Sequence, residues 1–136
     1  MIELGTFGAI LRFAIEWEAQ AAQFYEQNGR GGLAGLFQEL GQRSRKRLRR
    51  LEQARREGVA EMILEPITGL DGGAYQVALD SAGDEAGLRT QAQALEEVAA
   101  RFYRDAAGKL PIREVSRLLQ SLGTDSEQCR ERLAAG

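Results

Sequence analysis

The sequence predicts an all-α fold, a four-helix bundle made of two copies of one helical hairpin joined by a long crossover connection. Three observations predict it. The stretch Ala14-Ile-Glu-Trp-Glu-Ala-Gln-Ala-Ala-Gln-Phe-Tyr25 returns as Ala92-Gln-Ala-Leu-Glu-Glu-Val-Ala-Ala-Arg-Phe-Tyr103, so the chain carries an internal duplication. Apolar residues recur at alternating spacings of three and four through four stretches that glycine-containing turns separate. The composition is 43% hydrophobic and 28% charged, with only two prolines, which suits helices around an ordinary core. The 136 residues fit a single domain, 1–136.

Helix 1 is expected over about 6–28, with Phe7, Leu11, Ala14, Glu18, Ala21 and Tyr25 on its inner stripe. The short Gly29-Arg-Gly-Gly32 turn returns the chain antiparallel into helix 2, about 33–57, whose inner positions are Leu33, Phe37, Leu40, Ser44, Leu48 and Leu51, with Gly58 ending it. The connection, about 58–83, holds Pro66 and scattered apolar residues, among them Met62, Ile63, Leu64, Ile67, Leu70 and Tyr75. It is long enough to run the length of a bundle. Helix 3 is expected over about 84–107 with Leu88, Ala92, Glu96, Ala99 and Tyr103 inward. Helix 4 is expected over about 111–134, opened by Pro111, with Val115, Leu118, Leu122, Ser126, Cys129 and Leu133 inward. The repeat extends into the second helix of each half: Leu36-Phe37, Leu40-Gly41, Ser44 and Leu51 correspond to Leu118-Leu119, Leu122-Gly123, Ser126 and Leu133.

In both copies a glutamate stands on the inner stripe seven residues before a tyrosine, Glu18 before Tyr25 and Glu96 before Tyr103. Seven residues is close to two helical turns, which puts each pair on one face. A buried unpaired carboxylate costs several kcal/mol or more, so these two require a partner. The chain has no histidine and one cysteine, which removes the commonest metal ligand, the commonest general base and any Cys-x-x-Cys site. Neither an export signal nor a membrane segment is expected, because Glu3, Arg12 and Glu16 break the N-terminal apolar run. A cytoplasmic location follows as the default expectation.

The two motifs Glu18-Ala-Gln-Ala-Ala-Gln-Phe24-Tyr25 and Glu96-Glu-Val-Ala-Ala-Arg-Phe102-Tyr103 resemble helices 1 and 3 of the rubrerythrin and ferritin-like superfamily, in its short form without a rubredoxin tail. The resemblance implies a ferritin-like bundle in which helices 2 and 4 would each add a Glu-x-x-His pair to hold two irons. The corresponding positions here are Ser44 and Arg47, and Ser126 and Cys129, so four of the six implied ligands differ. Two carboxylates and a thiol do not make a di-iron site unless Glu39, Asp125 or Glu127 turns inward.

The favoured reading is therefore a core polar cluster of Glu18, Tyr25, Ser44, Arg47, Glu96, Tyr103, Ser126 and Cys129 in a degenerate di-metal site. No metal or other cofactor is expected, and the role is structural or binding rather than enzymatic. Arg47, at an implied histidine position, brings the positive charge and bidentate geometry to act as a metal surrogate. An outward-pointing Arg47 is the competing reading. The alternative function is a metal-dependent oxidoreductase of di-iron type that retains Glu18 and Glu96, binds iron and recruits Asp125, Glu127 or Cys129. Cys129 reads as an inert small hydrophobe, and Tyr25 and Tyr103 as donors across the bundle. Ile10, Phe13, Trp17 and Phe24 lie beyond one stripe and point to a homodimer; no other protein partner is indicated. The basic run from Arg43 to Arg56 reads as a solvated face paired with acidic neighbours. Nucleic acid is the disfavoured partner, since no aromatic residue interleaves with the charges.

Overall fold

The computed structural model describes residues 3–57 and 66–135. Four helices carry the chain: α1 (Phe7–Asn28), α2 (Ala34–Arg56), α3 (Glu85–Ala107) and α4 (Arg113–Ala135). Thr6 opens α1 by accepting from the Ala9 N–H at 3.0 Å, and Asp84 opens α3 by accepting from the Gly87 N–H at 2.8 Å, each satisfying a donor that a helix start leaves free. Between α1 and α2 the chain turns through Gly31, whose φ of 56° lies in the left-handed region, into a 3₁₀ turn, Gly31–Leu33. Leu33 therefore belongs to that turn, and Pro111 precedes α4 rather than opening it.

Contacts between the helices set their directions. Gly41 approaches Tyr25 while Gly29 approaches Phe37, so α2 runs antiparallel to α1; Gly123 approaches Tyr103 while Arg89 donates to the Leu133 carbonyl, so α4 runs antiparallel to α3. Tyr25 reaches Glu96 and Tyr103 reaches Glu18, which makes α1 and α3 antiparallel and hence α2 and α3 parallel. The chain must then return about 34 Å, a full helix length, between the end of α2 and the start of α3. Ile67, Leu70 and Tyr75 on the way are buried, and residues 3–5 pair with this strip through the Glu3–Asp71 bridge and the bonds Leu4 N–H to Leu70 O and Ile67 N–H to Gly5 O. Gly58, Met62, Ile63 and Leu64 lie outside the described residues.

The apolar core falls into two clusters. One joins the first half of α1 to the end of α2, the second half of α3 and the start of α4, with Phe7, Leu11, Leu51, Phe102 and Leu119 among its members. The other joins the second half of α1 to the start of α2, the first half of α3 and the end of α4, around Phe24, Phe37, Leu88 and Leu133. In the second turn of α4 Leu119 is fully buried beside Leu122, while Leu118 is half-buried: the stripe steps to the residue that matches Phe37 of α2. Ile10 and Phe24 are buried within the chain, and Phe13 and Trp17 pack against its core, so these four residues form no free apolar face. Every helix changes from one cluster to the other at mid-length, and a polar layer fills the gap.

Candidate functional site: a guanidinium–carboxylate layer at mid-bundle

That layer consists of Glu18 from α1, Ser44 and Arg47 from α2, Glu96 from α3 and Ser126 from α4, all buried, with Arg47 only 2% exposed. The two glutamates arrive at one height because each sits between the two apolar halves of its own helix. Arg47 follows Ser44 by one helical turn, so the side chain enters between α1 and α3 on the inner face.

Every nitrogen of the Arg47 guanidinium is engaged. Nε donates to Glu18 Oε2 at 3.0 Å, and Nη2 donates to Glu96 Oε1 at 2.9 Å and to Ser44 Oγ at 3.1 Å. Nη1 donates to Asp125 Oδ2 at 2.6 Å and to the Cys129 sulfur at 3.5 Å. The tyrosines close the layer reciprocally: Tyr25 donates to Glu96 Oε2 at 3.1 Å, and Tyr103 donates to Glu18 Oε2 at 2.5 Å. Each tyrosine thus serves the glutamate of the opposite hairpin, as the duplication about a pseudo-twofold axis requires.

The electrostatics keep the charges in place. Burial alone lowers the pKa of the Arg47 guanidinium, but Glu18 and then Glu96 outweigh it and hold that pKa well above its ordinary value. Burial, reinforced by the neighbouring glutamates, raises both tyrosines well above their usual value, so they remain protonated donors. Burial, with Glu96 beside it, pushes the Cys129 thiol up to about 12, which leaves it neutral and a poor nucleophile. Three carboxyls, Glu18, Glu96 and Asp125, face two guanidiniums, since Arg43 also donates to Asp125. Burial raises the pKa of Glu96 against the opposing pull of Arg47. Asp125 goes the other way: its half-burial would raise it, but hydrogen bonds from Arg43 and Arg47 together hold it below the ordinary value.

All eight residues proposed for the polar cluster from sequence lie in or against this layer. Reasoning from sequence left Arg43 out and set Asp125 off the stripe. The missed signal is in the duplication: since Ser44 matches Ser126, Arg43 matches Asp125, and residues at matching positions meet where a pseudo-twofold axis passes between α2 and α4. Opposite charges at two such positions predict a pair. Glu39 and Glu127 stay on the outside, paired with Arg132 and Arg104.

The chain matches no family model, no curated protein and no solved structure. The chemistry of the site is therefore judged on its own donors. A di-iron centre requires carboxylate lone pairs and imidazoles directed at two cations. Here Arg47 and the tyrosines occupy Glu18 Oε2 and both Glu96 oxygens, and a guanidinium stands among the carboxylates. The residues do not fit such a centre. No helix among the described residues is long and apolar enough to cross a membrane.

Proposed function

We propose that this chain is a rubrerythrin-like, ferritin-like four-helix protein in which one arginine has replaced the di-metal centre, serving a structural or binding role without ferroxidase chemistry. The observation that carries the reading is the Arg47 guanidinium at mid-bundle, bonded to Glu18, Glu96 and Asp125 at once. A fixed organic cation bridges glutamates from helices 1 and 3, supplies positive charge and cannot be lost or change oxidation state. The parallel direction of α2 and α3 and the two tyrosine–glutamate bonds support the same reading. A cytoplasmic location goes with it.

The test is stability together with metal content. Arg47→Ala leaves carboxylates buried without their counter-charge and is expected to cost about 3–5 kcal/mol in denaturant unfolding. The purified parent protein is expected to carry no stoichiometric iron by elemental analysis. An Arg47→Ala protein as stable as the parent, or iron at one or two equivalents per chain in the parent, would return the metal-dependent oxidoreductase to first place.

A further inference from the structure

The basic residues of α2, apart from the exposed Arg55 in its last turn, separate into two groups. Arg43, Arg45 and Arg47 are neutralised by carboxylates: Asp125, Glu26 and the buried layer. Lys46, Arg49 and Arg56 are exposed and make no hydrogen bond or ion pair among the described residues, and Arg50 donates only to the neutral Ser121 Oγ, at 3.1 Å. Lys46 stands three and four residues before Arg49 and Arg50, and Arg56 stands seven after Arg49, which puts these four on one outward face, spread over about 15 Å of helix. Cations in a last turn are explained by the helix dipole, which accounts for Arg56 but not for Lys46, Arg49 and Arg50 at mid-helix.

The second hairpin is an internal control. Under the match of Ser44 with Ser126, Lys46 corresponds to Gln128 and Arg49 to Glu131, so the fold accepts neutral and acidic residues at these positions. Arg50 corresponds to Arg132, and Ser121 to Glu39. In one half Arg132 grips Glu39 through two bonds of 3.0 and 3.1 Å; in the other, Arg50 meets a hydroxyl that leaves its charge uncancelled. Beside it opens a groove of about 390 Å³ between α2 and α4, lined by Lys46, Arg50, Ser121 and Thr124. The acid in that groove, Asp125, is already held by Arg43 and Arg47. One carboxylate, Glu52, lines a second groove together with Lys46, Arg49, Arg50 and Arg56, so the four cations there outnumber it, and Glu57 is bonded by Gln53.

We propose that this face of α2, with Ser121 and Thr124 of α4, binds the phosphodiester backbone of a nucleic acid. Cations in a row with hydroxyl donors beside them suit phosphates. The buried centre of a stable protein interface and an inserted amphipathic helix both use apolar anchors, and the exposed large apolar residue among those described, Leu79, belongs to the connection. With no aromatic residue on the face, binding is to the backbone and independent of base sequence. The core touches this face at one point, Asp125, which Arg47 and Arg43 hold from within and beside the groove.

Fluorescence anisotropy with a labelled mixed-sequence DNA duplex, titrated at several KCl concentrations, tests it. Binding is expected at low salt, and four phosphate contacts give a slope of log K against log salt of about −3 to −4. The triple variant Lys46→Gln, Arg49→Gln, Arg50→Gln, verified as folded by its melting curve, should bind at least about tenfold more weakly with a slope near −1. Ser121→Glu, which supplies Arg50 with the carboxylate that Arg132 already has, should reduce the slope by about one while leaving the melting curve unchanged. Arg12→Gln, on the exposed side of α1, should bind as the parent does. Absence of salt-sensitive duplex binding, or undiminished binding by the triple variant, would overturn the proposal. So would equal affinity for polyglutamate or for phosphatidylserine vesicles, which would mark the face as one for acidic surfaces in general.

Discussion

Ser44 and Ser126 occupy matching positions in the two hairpins, yet only Ser44 meets a donor of the layer. One guanidinium serves a site with twofold pseudo-symmetry, because the position matching Arg47 is Cys129. Ser126 Oγ and Glu18 Oε1 are accordingly buried with no partner among the described residues. A buried unpaired hydroxyl costs about 1–3 kcal/mol, whereas a made bond contributes about 1 kcal/mol. Ser126→Ala is therefore expected to be neutral or to stabilise the protein by up to about 1 kcal/mol, and Ser44→Ala to destabilise it by about 1 kcal/mol. Equal losses in urea unfolding would show that the two serines are equivalently bonded. Asp125 supplies the pH dependence. Its folded pKa lies below the ordinary 3.8 because Arg43 and Arg47 donate to it, so its contribution is fully present above that value and is lost as the pH falls through the folded value. The stability gap between parent and Asp125→Asn should thus be widest above about pH 4 and narrow progressively in stronger acid, as read from unfolding curves across that range.

At the scale of the helix pair, glycine sets the approach. A Cβ added at Gly41 would stand 3.3 Å from the Tyr25 Cβ, and one added at Gly123 would stand 3.3 Å from the Tyr103 Cβ. These positions match under the duplication, so both hairpins use the same device: a missing side chain on the second helix lets it lie against the tyrosine of the first. That approach also seats Tyr25 and Tyr103 where they reach the opposite glutamates. Alanine raises helix propensity by up to about 1 kcal/mol over glycine, and crowding of a packed contact costs about 1–3 kcal/mol. Because the atom in the way is a Cβ, fixed to the backbone, the helices themselves would have to separate. Gly41→Ala is expected to lower stability by about 1 kcal/mol, while Gly35→Ala on the exposed side of the same helix, with nothing within 4 Å of its Cβ, should raise it by about 0.5 kcal/mol. Thermal melts of the two variants moving in the same direction would contradict this account of the contact.

At the scale of the whole molecule, the chain is two apolar clusters with a charged layer between them. The layer lies at the level where four helices cross from one cluster to the other, so a change of its chemistry need not disturb either cluster. On the proposed ancestry of the layer, restoring the ligands that Arg47 and its neighbours would have replaced should restore metal binding. Ser44→Glu, Arg47→His, Ser126→Glu and Cys129→His together would complete a set of four carboxylates and two imidazoles with Glu18 and Glu96. This variant is expected to take up about two irons per chain in elemental analysis after loading and desalting. A folded variant that retains none would show that the spacing of α2 and α4 is not that of a di-iron bundle.

The periodicity of three and four determined the helices and most of their buried faces, because an apolar stripe is a local property that each helix expresses wherever it packs. The duplication went further, since a repeated glutamate and a repeated tyrosine imply a repeated environment, and from that Glu18, Tyr25, Glu96 and Tyr103 were legible as members of one polar layer, whereas Arg43 and Asp125 were not. What the sequence by itself left open was the direction of Arg47, which lies beside Leu48 at the edge of the stripe; either rotation satisfies the pattern. Only the tertiary structure decided it, because the charge inside comes from α1, α3 and α4 at once, and three carboxyls hold the guanidinium inward against its desolvation. The same cause explains why Phe13 and Trp17, read as an outer face, lie half-buried: the connection covers them by packing between sequence-distant elements, and no periodicity within α1 records that cover.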